Sequence, residues 1–504
     1  MNNFKHKLTR FFKGNNFLSG ILTALVLVCV IIVNAILYTL ATRFDWYFTP
    51  ADEPDLSISD SGDLLFRDAL EKGLTVEVIF CMYEEDLKAH DTGNYVYRTA
   101  KEFEKKYPKL IKLNYINAIT RLDSEGKPFD ELSNYEKDMR GKETAINKTS
   151  VIFRTETNYF VLTDTYTGVG FADFYTLDAS MNVTSYNGEE VFASLVSWVL
   201  KEDHGTAYVT VGHSESPDIY LGNLLINAGY YVDELDLREG KVPDDADLVV
   251  IANPRNDFER SANPDVIQSE IERLEKFAER GGHFMVFLDP EAAKLPILEG
   301  FISEQFGISV RDNGEGERLT VKDPNSSIAS DPYALIAKYA DDPVADAMND
   351  RTEHLDGKVV VSNAAPLSLS GNAKPLLVTS SAARAEAAGK TFDSDGDYII
   401  AAYSTKNNPR AEDGKMFLVS SIYLTASDAM ISNGYQNKDF LFSLFDIYFE
   451  KGAMPYGCNS IIFEEGVIEN LTSGKAKLIT AVIMAIPAVI AVVGAVVIIR
   501  RKNR

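Results

Sequence analysis

The sequence predicts an α/β protein with a doubly wound core of parallel strands, carried outside a membrane by one apolar helix at each end. Three observations predict it. Apolar runs at 207–211, 248–252 and 284–288 alternate with helical patterns, and runs that do not alternate in polarity suit strands buried on both faces. Two charge-free apolar stretches lie near the ends of the 504-residue chain, 18–41 and 478–499. Either one, as a helix, crosses a bilayer core of about 30 Å. Basic residues sit on the outer side of both: Lys5, Lys7, Arg10 and Lys13 before the first, and Arg500, Arg501, Lys502 and Arg504 after the second.

These features give a domain order. Residues 1–16 are a basic cytoplasmic tail and 17–41 an uncleaved signal anchor, longer than the apolar region of a cleaved leader. An extracytoplasmic N-terminal α/β domain follows over 42–185, then the larger α/β domain over 186–455. A linker (456–477), the second span (478–499) and a basic tail (500–504) complete the chain. Pro487 and Gly494 are tolerated in a membrane helix. The positive-inside bias then puts both termini in the cytoplasm and 42–477 outside.

In the first domain, 63–70 reads as a helix, 75–82 as a strand, 95–107 as a helix stopped by Pro108, and 110–116 as the returning strand of a right-handed βαβ unit. Residues 126–148 read as a charged loop and 150–163 as a hairpin turning at Glu156-Thr-Asn158. A helix over 187–200 carries Val191, Leu195, Trp198 and Val199 on one face. After the strand at 207–211, Ser216 and Pro217 are suited to start a helix that ends near Gly229. A strand over 230–237, the run 248–252, a long amphipathic helix over 264–280 and the run 284–288 continue the alternation. The long helix sets Ile267, Ile271, Leu274 and Ala278 in a stripe and leaves Glu270, Glu272, Glu275 and Glu279 off it, the pattern of ordinary packing on a sheet. Beyond 290 the chain predicts a helix at 295–306, strands at 373–381, 398–404 and 416–422, and an apolar helix at 439–449, with loops over 312–330 and 382–397. No internal repeat is visible.

Composition narrows the function classes. Lys and Arg total 50 against 74 Asp and Glu, a net charge of −24, which makes nucleic acid a poor partner. Three cysteines form no disulfide framework; outside the first span only Cys81 and Cys458 could pair. No P-loop and no GxGxxG occurs, so no nucleotide cofactor is expected. The histidines lack metal-ligand spacing, and no metal is expected. Asp393-Ser-Asp-Gly-Asp397 resembles half of a calcium loop, but its glycine comes too early and Ser404 stands where a bidentate Glu is needed.

The candidate ligand contacts lie in the turns that end the apolar runs, where open α/β sheets bind ligands. They are His213, Ser214 and Glu215 after the first run, Asn253 after the second and Asp289 after the third. His213 reads first as part of a structural turn, bonded to Glu215 or to backbone. Its functional alternative is a general base or a ligand contact. No Ser or Cys nucleophile elbow accompanies it, so no catalytic residue is assigned.

Asn187-Gly-Glu-Glu before a helix, Tyr208-Val-Thr-Val-Gly-His-Ser-Glu215, Leu225-x-x-Ala-Gly-Tyr230, the run from Val242 to Ile251 and the run from Glu279 to Pro290 together resemble the auxiliary component of the GldG-type ABC transport systems. The resemblance covers about residues 15–300 and reaches the rest by layout. It departs at Ser214, where members carry glycine. It implies an amidotransferase-like (flavodoxin-like) core without the catalytic cysteine, and partnership with a separately encoded ATPase and polytopic permease. The expected function is thus a non-catalytic, membrane-anchored auxiliary subunit. The alternatives are a cell-envelope hydrolase or amidotransferase relative using His213 and Glu215, and a surface scaffold independent of transport.

Overall fold

The computed structural model describes residues 56–463, apart from short segments at 164–168, 179, 218, 264–267, 329–330, 356, 388, 394–395, 410 and 422. Both apolar stretches read as spans, the basic tails and most of the linker lie outside these residues. Among the described residues no helix is long and apolar enough to cross a membrane. Residues 55–463 make one compact unit of mixed α/β structure built on two principal sheets.

The first sheet contains the expected βαβ unit. Strand β1 (Val76–Phe80) leads through helix α1 (Gly93–Lys106) to β2 (Ile111–Asn117), and the two strands pair in parallel. A hairpin of β3 (Val151–Arg154) and β4 (Tyr159–Leu162) adds antiparallel to the other edge of β1. Helix α2 (Gly188–Leu200) follows. Its Phe192 stacks on Phe103 of α1, and Phe153 of β3 meets Phe192 edge-on. Its apolar residues therefore belong to the core of the N-terminal layer, although a boundary after 185 assigns the helix to the second domain. The helix is buried nearly all round, because a second neighbour, the helix that follows the first strand of the central sheet, covers its other side.

That central sheet begins with β5 (Thr206–Val211), helix α3 (Ile219–Asn227), β6 (Tyr231–Asp236) and β7 (Ala246–Ala252). Helix α4 (Glu270–Glu279), β8 (His283–Phe287) and α5 (Pro296–Phe306) come next. Strands β9 (Lys338–Tyr339), β10 (Lys374–Val378), β11 (Ile399–Lys406) and β12 (Gly414–Val419) complete it. The described residues form eight strands in the order β9-β10-β11-β12-β8-β7-β5-β6. From β12 to β6 every neighbouring pair is parallel, and β11, β10 and β9 extend the sheet antiparallel. The parallel part is the doubly wound order 2-1-3-4-5. Its apolar runs are explained by alternation between two cores. Ala207, Leu248, Val250 and Met285 pack with Leu221, Leu224 and Leu225 of α3, while Tyr208, Val249, Ile251 and Phe284 pack with Ile271, Leu274 and Phe277 of α4. With both faces covered, the runs 248–252 and 284–288 leave no position for a polar alternation.

Several boundaries differ from the sequence reading. Helix α3 starts at Ile219, past Ser216 and Pro217. Helix α4 starts at Glu270, where Ser269 and Glu272 close a capping box; the expected start at 264–267 lies outside the described residues. The stretch 382–397, read as a loop, holds a hairpin of Arg384–Ala387 and Lys390–Asp393, and Thr320–Lys322 from the other presumed loop pairs with it. The apolar helix near 440, α6, starts at Asn437 and runs as α-helix to Ser443, then winds as a π-helix over Leu444–Tyr448. The beginning of the presumed linker is also folded: Ile461–Ile462 pairs antiparallel with Val183–Tyr186.

That last pairing brings the two ends of the unit together. Leu56 to Ser59 and Asn459 and Ile461 line one cavity of about 260 Å³, beside Gly188 and Glu189. Glu189 accepts the backbone N–H of Ser59 at 2.7 Å, and Lys106 donates to the Ser59 carbonyl at 2.6 Å.

Candidate functional site

The open edge of the central sheet lies at the carboxyl ends of β5 and β7. These strands are neighbours, but the chain leaves β5 toward β6 and leaves β7 toward β8, so their loops part there. The loop after β5 turns at once. Gly212 has φ 110° and Ser214 φ 57°, and after β7 Asn253 has φ 54°. Left-handed backbone at Ser214 and Asn253 is uncommon and is held here by surrounding bonds.

His213 is the centre of that holding. Its Nδ1 lies 3.2 Å from Glu215 Oε1 and its Nε2 lies 3.0 Å from Glu270 Oε1. The imidazole stacks on Phe258 at 3.9 Å between centroids, and the residue is 3% exposed. The His213 backbone N–H donates to Glu215 Oε2 at 2.6 Å, and its carbonyl accepts from Arg255 and Asn256. The other Glu270 oxygen accepts the Glu259 N–H at 2.7 Å. One imidazole between two carboxylates thus ties the β5 loop, the β7 loop and the start of α4 together. Burial opposes its charge, but the bonds to Glu215 and Glu270 outweigh burial and raise the His213 pKa. Glu215 answers in the opposite direction: burial pushes it up, and the bond to His213 with backbone N–H groups holds it below the ordinary value.

The other candidates join this edge. Asn256 donates to Ser214 Oγ at 3.0 Å. Asn253 is buried, its amide 3.4 Å from the Ser216 carbonyl and its Oδ1 without a hydrogen-bond partner among the described residues. Asp289 is linked through Arg255, whose backbone bonds His213 and whose guanidinium pairs with Asp289 at 2.6 Å. All five candidates are therefore gathered at one sheet edge. The ring nitrogens of His213 are both occupied, the arrangement the turn reading expects.

Sequence reasoning passed over Glu270, Phe258 and Arg255. The helical pattern places Glu270 off the apolar stripe, as in ordinary packing, yet it supplies the second carboxylate. The Ser269-x-x-Glu272 spacing was the available signal, since it places Glu270 in the first turn of α4.

A second constellation was also missed. Glu190, in the Asn187-Gly-Glu-Glu motif, is 2% exposed and accepts Tyr220 at 2.8 Å and Asn227 at 2.8 Å from α3. It pairs with Lys438 of α6 at 2.8 Å. Lys438 donates to the Cys458 carbonyl at 2.7 Å, and Asp439 accepts the Gly457 N–H at 2.8 Å. Burial opposes the Lys438 charge, but Glu190 and Asp439 outweigh it and raise its pKa, whereas burial raises Asp439. This buried network joins α2, α3, α6 and the returning C-terminal segment.

Cys81 and Cys458 are separate, buried thiols, and burial pushes Cys81 up to about 12. Among the described residues no group of three potential ligands could hold a metal ion. In the calcium-like stretch Asp393 pairs with Arg311 at 2.8 Å, and Ser394 and Asp395 lie outside the described residues.

The His213 bridge makes a pH prediction. A pKa raised in the folded state contributes stability that is complete below the unfolded value of about 6.5 and is lost as pH rises through the folded value. His204 and His283, both lowered to about 4 chiefly by burial, act only at the acid side. The stability gap between wild type and His213→Gln should therefore shrink as pH rises from 6 to 9 in thermal melts; a gap constant with pH would contradict the assignment.

No family model and no curated protein matches the chain. Solved structures with similarity include the "mmIFT52 N-terminal domain", at 17% identity over 49% of this chain and 96% of that one, with a TM-score of 0.35. PurLQS from Thermotoga maritima is 14% identical over 49% of this chain and 100% of that one, with a TM-score of 0.28. A glutamine amidotransferase from Thermotoga maritima is 11% identical over 55% and 94%, with a TM-score of 0.26.

Proposed function

We propose that this chain is a non-catalytic, membrane-anchored auxiliary subunit of an ABC transport system. In this reading it works beside a separately encoded ATPase and a polytopic permease, with residues 42–477 outside the membrane and both termini in the cytoplasm. One observation carries the reading: the first and last described segments converge on one cavity, beside the Asn187-Gly-Glu-Glu motif. A domain suspended between two spans needs its chain to arrive and leave on the same side, and the Val183–Tyr186 pairing with Ile461–Ile462 supplies that return. The missing nucleotide motifs agree with an ATPase on another chain. The hydrolase alternative gains little support from a histidine whose nitrogens both face carboxylates and which is 3% exposed. Co-purification of the chain with an ATPase and a multi-span protein is the test.

A further inference from the structure

Next to Asp289 lies an open cleft of about 660 Å³, within the size range of small-molecule sites. It is lined by the 290–294 segment that follows β8, by the turn at 316–320, and by Tyr333, Asn363 and Glu386. The cavity is built on a fixed support. Arg318 has a side chain 6% exposed, donates to the carbonyls of Asp289 and Ala292 at 2.8 and 2.9 Å, and pairs with Glu299 at 2.6 Å. Glu386 is equally buried and is held by Lys322 and by the Tyr333 hydroxyl at 3.1 Å.

The remaining charges are only partly used. Among the described residues neither Glu291 nor Glu317 has an ion-pair partner. Glu291 accepts the Asn363 amide at 3.0 Å and Glu317 accepts Asn313 at 3.1 Å. Asn363 makes that bond from left-handed backbone at φ 49°, which sets its amide toward Glu291. Lys294, on the same cavity, uses one ion pair to Asp312 and retains further N–H donors. A ligand of one sign would satisfy one of these groups and desolvate the other without compensation. A ligand carrying both signs satisfies both.

We propose that this cavity binds a zwitterionic ligand, a free amino acid or short peptide, with its ammonium toward Glu291 and Glu317 and its carboxylate toward Lys294. The proposal deepens the reading of the chain as a transport subunit, since it names the class of ligand its outer domain would take. The full chain in detergent is titrated calorimetrically with the free amino acids and tri-alanine, and with N-acetylated and C-amidated tri-alanine. Binding of at least one zwitterion is expected, about tenfold weaker when either terminus of that ligand is blocked. Glu291→Gln, at an exposed position, and Lys294→Met, at a half-buried one, should each weaken it to a similar degree while leaving the thermal midpoint unchanged. Absence of binding across the panel overturns the proposal, as does equal affinity for the blocked peptides or indifference to both substitutions. The two readings fail separately. A chain that co-purifies with transport partners but binds none of these ligands loses only the ligand assignment, and one that binds them but purifies alone loses only the transport assignment.

Discussion

Replacing Glu190 with alanine is expected to lower the unfolding free energy by about 3–5 kcal/mol, the cost of leaving a buried charge without its partner. Lys438 would keep only the Cys458 carbonyl and the more distant Asp439, in a site where burial already opposes its charge. Tyr220 and Asn227 would lose their shared acceptor as well. Lys438→Ala should cost a similar amount for the converse reason, because Glu190 would then be a buried carboxylate held by neutral donors alone. Since Lys438 and Asp439 also hold residues 457 and 458, hydrogen exchange across 457–463 should accelerate in both variants before the β1–β2 layer is affected. Equilibrium denaturation measures the first effect. A loss below about 1 kcal/mol would show that the pair is solvated and does not organise the fold.

The full chain is expected to stay with the membrane pellet through alkaline carbonate extraction, and a variant lacking 1–54 and 464–504 to move to the supernatant with its fold retained. The hydrophobic argument is large. Each of 18–41 and 478–499 offers a charge-free apolar stretch of bilayer length, and burying such a stretch in lipid is favourable by many times the thermal energy. The fold should survive the cut because the compact unit runs from 55 to 463 and its own ends are tied by Ser59–Glu189 and Ile461–Tyr186. A full-length chain released by carbonate would contradict the two-span reading. A truncated variant that circular dichroism finds unfolded would contradict the independence of the unit.

The parts legible in sequence were those governed by local pattern. The runs 207–211, 248–252 and 284–288 announced buried parallel strands because their apolar residues, all of those in the second and third runs, pack alternately into two cores. The turn residues after them announced the open edge, and of the two partners the turn reading offers His213, Glu215 or backbone, the imidazole takes Glu215. What escaped depended on distance along the chain or on short elements. Glu270 completes the imidazole bridge from another helix, and its role needed the correct start of α4, hidden by the competing start signal at Pro264. Glu190 and Lys438 meet only after the whole central sheet has formed, and no spacing rule links them. Strands of three or four residues such as Thr320–Lys322 and Arg384–Ala387 are too short to establish a period, so polar turn-rich sequence around them read as loop.

The central claim is that this chain works with a transporter, and the most direct measurement is affinity purification from native membranes in mild detergent with mass spectrometry of the co-eluting proteins. The account predicts a nucleotide-binding ATPase and a multi-span permease in constant ratio to this chain. A chain recovered in high yield without either protein would contradict it.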